Sequence, residues 1–285
     1  MQPNRLSIST ELPKAKNLTH LWLFLRQPGP NQMRSRPVEA ANVALAAEIF
    51  PAVETLKAPL ASVEALAKIS DFHNLRSLNA FWPEGDREDI SLVLKNVLEK
   101  FPDLEELGLA RCDGVVLSTI EKLCPKIKVI QLEDCAVSAG DLKLNVRPFP
   151  HLRCLEISGK MSVKTLRLFL TLTRETLRVA RFNSFSMCFE FLHYCVQYGA
   201  VLPFSRLEHL TLYTSQTLHE LQLQHGKLHS VLKALPVLRH LECDSYDLRV
   251  FFENYCVPRG RLCLSWTGCV VCEVRNPKLA SILKP

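Results

Sequence analysis

Two histidines, a glutamate and a cysteine in the C-terminal half are the residues best suited to chemistry. His209 and His240 occupy corresponding positions of a repeated pattern, and Glu242 and Cys243 follow the second histidine. A thiol beside an imidazole that a carboxylate orients can act as a nucleophile. Side chains alternate along a strand, however, so Cys243 falls on the opposite face from His240 and Glu242. Because phosphate-binding glycine loops and the G-x-S-x-G and H-E-x-x-H motifs are also absent from the sequence, we expect no enzymatic activity and no cofactor.

Four cysteines near the C-terminus could form a metal site. Cys256, Cys263, Cys269 and Cys272 supply enough thiolates for a tetrahedral zinc ion. Only the last two have the C-x-x-C spacing of a zinc knuckle, and most of their neighbours are apolar. Those neighbours favour a small hairpin, with its turn near residues 267–268, that caps the preceding structure. We expect residues 256–285 to form this cap without metal, and zinc coordination is the alternative.

A short pattern repeats along the chain and is the strongest structural signal. Residues 101–112 read FPDLEELGLARC, and residues 124–135 read CPKIKVIQLEDC. Both place apolar residues in an L-x-x-L-x-L order that a cysteine closes. Recurrence of this order at intervals of about 20–30 residues is typical of leucine-rich repeats, in which each unit contributes one strand and one helix.

The whole chain fits this pattern when it is aligned on the first apolar position. Nine units begin at Leu18, Val53, Leu75, Leu104, Ile127, Leu152, Leu177, Leu207 and Leu238. The fold class predicted is α/β, a right-handed solenoid with a curved parallel sheet inside and helices outside, over residues 1–255. Apolar residues at helical spacing predict the outer helices at residues 38–50, 91–100, 161–172, 185–198, 218–235 and 248–255.

Composition favours a reducing compartment. An apolar content of 47% is ample for a buried core, and eleven cysteines cannot all pair within one chain. The first residues lack the apolar stretch of a secretory signal, and no apolar run reaches the roughly 18 residues that span a membrane. We therefore expect a cytoplasmic or nuclear protein without a membrane association. The net charge of +6 is modest, and the basic residues at the ends could attract nucleic acid by charge alone. Because interleaved aromatic and basic motifs of a known nucleic-acid module are absent, we do not expect nucleic acid as a partner.

The repeats resemble the ribonuclease-inhibitor-like and cysteine-containing leucine-rich repeats, and the resemblance covers about residues 12–255. In that family such repeats occur in F-box substrate receptors of ubiquitin ligases and in other cytosolic adaptors. Two departures are visible. The consensus asparagine is missing after most strands, and Ala58, Ala80 and Ala180 replace larger apolar residues. No F-box-like stretch precedes the first repeat. The resemblance implies a protein-interaction module, with ubiquitin-ligase subunits among its possible partners.

The strand phase predicts which side chains line the concave face, where a protein partner would bind. An aromatic group comprises Trp22, Phe24 and Phe81, with Trp82 directly after it. Exposed aromatic side chains are candidate anchors of an interface. The alternative is that the loop at residues 26–40 folds over them.

A second group on the same predicted face is mostly acidic. It contains Glu106, Glu133, Glu156, Arg181, Tyr213, Glu242 and Asp244. Carboxylates in this arrangement suit a partner rich in arginine and lysine. The leading hypothesis is an adaptor or substrate-recognition subunit. The alternatives are a cytosolic scaffold or inhibitor that binds a basic partner without any ubiquitin-ligase link, and a solvated face without a partner.

Overall fold

The structure is a computed structural model, and it describes residues 17–23, 25–26, 35–82, 87–143, 148–159, 161–213, 225–256 and 263–265. These residues form two compact units. Unit 1 takes its residues from 1–127 and 133–141, and unit 2 takes its residues from 128–132 and 142–285.

Short strands alternate with helices along most of the chain. The strands are β1 (His20–Trp22), β2 (Leu25–Arg26), β3 (Ser35–Arg36), β4 (Thr55–Pro59), β5 (Ser77–Phe81), β6 (Glu106–Ala110), β7 (Val115–Val116), β8 (Val129–Glu133), β9 (Val137–Ser138), β10 (Cys154–Ser158), β11 (Val179–Phe182), β12 (His209–Leu212), β13 (His240–Cys243) and β14 (Cys263–Ser265). The helices are α1 (Ala40–Ile49), α2 (Val63–Ala67), α3 (Ser91–Leu98), α4 (Leu117–Leu123), α5 (Val163–Thr173), α6 (Phe185–Tyr198), α7 (His225–Ala234) and α8 (Tyr246–Cys256).

Unit 1 contains a parallel sheet in the order β1-β4-β5-β6. The strands pair in the register that the repeat predicts, because Leu21, Leu56, Leu78 and Leu107 occupy one row across them. All four leucines are buried. Burial of this row fixes the register, since a slip by one residue would turn every leucine to the other face of the sheet.

The turns after β6 and β8 within unit 1 are stabilised by the two cysteines of the repeated pattern. Cys112 and Cys135 are buried, and their Sγ atoms lie 3.5 Å apart. The Cys135 thiol also donates a hydrogen bond to the carbonyl oxygen of Leu109 at 3.3 Å. Arg111 and Asp134 adopt positive φ angles of 61° and 51° at equivalent positions of the two turns. The predicted structural role of these cysteines in the turns is confirmed.

Unit 2 repeats the same arrangement with β8, β10, β11, β12, β13 and β14 in that order. Leu155, Ala180, Leu210 and Leu241 form its equivalent buried row. Ser162 precedes helix α5 as its N-cap, and its hydroxyl accepts a hydrogen bond from the backbone N–H of Thr165 at 3.1 Å. Such a cap satisfies one of the unpaired donors at a helix start.

Aromatic rings fill the space between the helices and the sheet of unit 2. The Phe182 and Phe191 rings stack at 4.7 Å, and Phe191 also packs against Phe204 at 5.5 Å. Gly199 caps the C-terminus of helix α6, and a Cβ atom there would come within 2.2 Å of the Ala234 side chain. Glycine therefore permits the close approach of α6 and α7.

The α/β class and the parallel pairing predicted from the repeats are confirmed within each unit. Helix α6 has the predicted bounds, whereas α1, α3, α5 and α8 begin or end within a few residues of them. Strand β14 pairs with β13 in parallel, one strand beyond the nine that the sequence predicts. Helix α7 is described from His225 onwards, so residues 218–224 of the predicted helix lie outside the described residues. The predicted hairpin with its turn near residues 267–268 also lies outside them. No helix among the described residues is long and apolar enough to cross a membrane.

Candidate binding surface

One face of the unit 2 sheet carries the exposed and half-buried side chains together with a few buried ones, and we call it the unit 2 strand face. Its residues are related by the strand register, and the backbone ladder continues beyond the strands through hydrogen bonds from the N–H groups of Asn183 and Tyr213. The face comprises Val129, Gln131, Cys154, Glu156, Ser158, Val179, Arg181, Asn183, His209, Thr211, Tyr213, His240, Glu242 and Asp244. The predicted columns of side chains are therefore present on this face.

Glu156 is the centre of a polar network on the unit 2 strand face. Its carboxylate accepts hydrogen bonds from Asn183 Nδ2 at 2.9 Å and from Gln131 Nε2 at 3.2 Å. The guanidinium of Arg181 lies 3.6 Å from the second carboxylate oxygen. The Glu156 and Arg181 side chains are 26% and 30% exposed, so the pair is only partly screened by water. Glu156 is therefore already paired with a cation of its own chain.

Glu242 is held in a different way. The Tyr213 hydroxyl donates a hydrogen bond to Glu242 Oε1 at 2.6 Å. Burial, followed by this hydrogen bond, raises the pKa of Tyr213 above its usual value. Among the described side chains, none with a positive charge forms an ion pair with Glu242. The carboxylate is consequently fixed in position, but its charge is not neutralised by a salt bridge within the described part of the chain.

Two stacked imidazoles lie beside this carboxylate. The His209 and His240 rings are nearly parallel, at an angle of 3° and a centroid distance of 4.3 Å. Burial, followed by the nearby His240, lowers the pKa of His209 to about 4. At neutral pH the His209 imidazole is therefore uncharged. The stack adds an aromatic surface next to Glu242 without a positive charge from His209.

An apolar stripe on the same face was not anticipated. Val129, Cys154 and Val179 form a cluster in which the exposed fractions are only 6%, 6% and 1%. The strand phase predicts that these residues face the partner, but they are buried. The signal that could have revealed this is their shared column, because three adjacent apolar residues in register pack against each other.

The corresponding face of the unit 1 sheet, which we call the unit 1 strand face, carries aromatic side chains and several short ones. It comprises His20, Trp22, Thr55, Lys57, Pro59, Ser77, Asn79, Phe81, Glu106, Gly108 and Ala110, which pair in register. Trp22 is 63% exposed, and Lys57 Nζ lies 5.2 Å from its ring centroid. Phe81 is half-buried, whereas Phe24 lies outside the described residues.

One member of the aromatic group differs from the expectation. Trp82 is only 5% exposed, so the prediction that it joins an exposed aromatic patch is wrong. Trp82 follows directly after β5, and its backbone N–H donates to the Ala110 carbonyl oxygen at 3.2 Å. This pairing continues the ladder by one residue and turns the Trp82 side chain to the core side.

Of the three remaining acidic residues, Glu106 and Glu133 lie in unit 1 and Asp244 lies in unit 2. Glu106 is half-buried and accepts a hydrogen bond from the Ser77 hydroxyl at 2.9 Å. Glu133 is exposed. Asp244, in unit 2, is half-buried at the end of β13. With the exception of Trp82, each candidate residue in the described part of the chain therefore has at least a part-exposed side chain, and the acidic ones differ in how far their charge is compensated.

The geometry around the two histidines separates the thiol from the imidazoles. Cys243 is 2% exposed and lies on the core side of β13, whereas His240 and Glu242 lie on the strand face. Burial raises the pKa of the Cys243 thiol to about 12, so the thiol stays protonated at neutral pH.

The side chains of Cys256, Cys263, Cys269 and Cys272 are not among the described ones, and the described residues contain no cluster of three or more metal-ligating side chains.

Comparison with known proteins gives a sparse result. No protein-family model matches the chain, and no curated protein matches it. One similar solved structure is the crystal structure of the Rad7 and Elc1 complex in yeast, which matches 79% of this chain and 71% of that chain. The TM-score is 0.43 and the sequence identity is 13%. A similarity this distant supports no inference about the function of the present chain.

Proposed function

We propose that this protein is a non-catalytic protein-interaction module, built as a right-handed leucine-rich-repeat solenoid, that acts as an adaptor or substrate-recognition subunit. The proposal rests chiefly on one observation. The unit 2 strand face presents a pre-ordered set of polar and aromatic side chains, held by contacts such as those of Glu156 and Tyr213. Side chains that are already ordered lose less conformational entropy when a partner binds.

The same face offers little that would support catalysis. Its most nucleophilic type of side chain, the thiol of Cys154, is only 6% exposed. Glu156 is occupied by Gln131, Asn183 and Arg181, and Glu242 is occupied by Tyr213. Carboxylates that are engaged in this way are poorly placed to take part in proton transfer. They can still present a fixed shape and charge to a partner, which is the task of a binding surface.

Affinity purification from cells tests the proposal. The full chain carries a tag, is expressed in cells, and its captured proteins are identified by mass spectrometry against a tag-only control. An adaptor of a ubiquitin ligase retains ligase subunits together with substrates. If no protein is enriched above the control, the interaction module itself is refuted. If partners are captured without ligase subunits, only the link to ubiquitin ligases is refuted.

A second function is favoured by the uncompensated carboxylate of Glu242. In this version the chain is a scaffold or inhibitor in the cytoplasm or nucleus, and it binds a basic protein without any ubiquitin-ligase link. Charge reversal at Glu133 and Glu242 then abolishes capture of the partner while the melting temperature is retained. Glu156 is unsuitable for this test, because its reversal would place a cation beside Arg181.

A further inference from the structure

We propose that Glu242, Tyr213 and the stacked pair of His209 and His240 form a subsite for an arginine or lysine side chain of an extended protein segment. This inference rests on the proposed function, since it names the chemistry of the partner that the unit 2 strand face binds. The occupant is basic, and the argument for it is charge complementarity with a carboxylate that the fold has oriented.

The strand register excludes the nearest cation on this face from neutralising Glu242. Arg181, Thr211 and Glu242 lie side by side on β11, β12 and β13. Two strand spacings therefore separate Arg181 from Glu242, about 9.6 Å between their backbones. The guanidinium of Arg181 is in addition directed to Glu156, on the opposite side. Within the described part of the chain, no cation on this face is therefore placed to neutralise Glu242.

Tyr213 prepares the carboxylate for such a ligand. Its hydroxyl donates to Oε1 of Glu242, and each carboxylate oxygen retains further lone pairs. A guanidinium or ammonium group can use these lone pairs in a charge-assisted hydrogen bond, which is stronger than a bond between neutral groups. Because Tyr213 already restricts the carboxylate, little additional ordering accompanies binding.

The neighbouring surface favours an extended ligand with a flat or aliphatic side chain. The His209 and His240 rings are stacked face to face on β12 and β13, two residues before Thr211 and Glu242 and on the same side of the sheet, and the exposed His240 places aromatic surface beside Glu242. Arginine and lysine carry aliphatic stems that pack on such surfaces while their charged ends reach a carboxylate. Thr211, in register with Arg181 and Glu242, carries a short side chain between them.

Nuclear magnetic resonance titration of the full chain tests this subsite. The probe is an extended glycine–serine peptide with arginine at its centre, and the matched probe carries citrulline, which has the shape of arginine without its charge. We expect the arginine peptide to bind about 10-fold more tightly than the citrulline peptide, because about 1.4 kcal/mol of charge-assisted bonding is added. The ring signals of Tyr213 and His240 are expected to move.

Three variants distinguish this subsite from general attraction between charges. Glu242→Gln keeps an acceptor for Tyr213 and is expected to abolish the preference for arginine over citrulline. Tyr213→Phe keeps the carboxylate and is expected to reduce the preference. Glu48→Gln, at an exposed position of helix α1, is the matched control and is expected to retain the preference. Thermal melting of each variant confirms that it is folded.

The results separate the subsite from the broader proposal. Equal binding of both peptides to the wild-type chain, including no binding of either, overturns the subsite. A preference that Glu242→Gln retains or that Glu48→Gln removes also overturns it. Partner capture from cells by the wild-type chain is measured in parallel. Capture that persists in Glu242→Gln leaves the interaction module standing without this subsite, whereas a wild-type chain that captures nothing refutes the module.

Discussion

The strand faces of the two units have the same backbone register and different chemistry. On the unit 1 strand face Trp22 is 63% exposed, and the Lys57 ammonium group lies over its ring. On the unit 2 strand face Glu156 is held by three side chains, and Val179 is 1% exposed. The repeat thus sets where side chains lie, whereas their mutual contacts determine whether a face is adaptable or pre-ordered.

The difference has a consequence for stability as well as for binding. Contacts between side chains of neighbouring strands on the unit 2 strand face contribute to folding, so substitutions there affect both stability and binding. On the unit 1 strand face Trp22 is exposed, and substitutions at exposed positions usually change the free energy of unfolding by less than about 0.5 kcal/mol. Matched substitutions on the two faces test this contrast.

The largest effect is expected from a charge in the apolar stripe. Val179→Asp buries a carboxylate among Val129 and Cys154, and we expect it to lower the free energy of unfolding by about 3 kcal/mol. Thr55→Asp is the matched change at the same column of the unit 1 strand face, where the side chain is half-buried, and its cost is expected to be smaller. Urea unfolding followed by circular dichroism measures both. Equal losses would show that the two faces are packed alike.

A pH dependence specific to unit 2 comes next. The pKa of His209 is lowered to about 4 by burial first and then by His240, Arg181 and Arg239, against an opposing effect of Glu208. The unfolded chain binds this proton near pH 6.5, so the stabilisation is present above that pH and is lost as the pH falls towards 4. Because the ring is partly exposed, we expect an effect on the order of 1 kcal/mol.

His209→Gln removes this contribution and serves as the comparison. The free energy of unfolding of the wild-type chain is expected to decrease more than that of His209→Gln when the pH is lowered from 7 to about 4.5. The imidazole signals give a direct reading of the protonation of His209. A titration midpoint near 6.5 would contradict the burial of this ring in the folded protein.

A smaller difference in stability is expected between loss of the ion pair in unit 2 and loss of the cation–π contact in unit 1. Arg181→Met leaves the half-buried Glu156 without its cation, and we expect a loss of about 1 kcal/mol. Lys57→Met removes the charge above the exposed Trp22 ring, for which about 0.5 kcal/mol is expected. Thermal unfolding at low and high salt measures both. If Lys57→Met is the more damaging change, the unit 1 strand face is the more strongly ordered one.

The smallest effect concerns Trp22 itself. We expect Trp22→Ala to change the free energy of unfolding by less than about 0.5 kcal/mol, because most of the side chain is already in water. Iodide is expected to quench the fluorescence of Trp22 but not that of the buried Trp82. The amount of emission that iodide quenches is therefore expected to be smaller in Trp22→Ala than in the wild-type chain. An equal amount in both chains would contradict the exposure of Trp22.

The sequence was sufficient to predict the register but not the contacts across it. The L-x-x-L-x-L order defines which residues share a row, and the rows of Leu56 and Leu155 have the predicted neighbours. The pairing of Arg181 with Glu156 and the burial of Val179 depend on how adjacent side chains settle, which a single strand does not reveal. Trp82 was misassigned because the ladder continues one residue past β5 and reverses the expected exposure.

The most direct test of the binding surface is partner capture by charge-reversed chains. Glu242→Arg changes the unit 2 strand face, and Glu48→Arg makes the same change at an exposed position of helix α1 as the control. Quantitative mass spectrometry compares the proteins that each variant and the wild-type chain retain from cells. We expect Glu242→Arg to lose its partners and Glu48→Arg to keep them. Retention of the full set by Glu242→Arg, or an equal loss in both variants, would contradict a binding surface at this face.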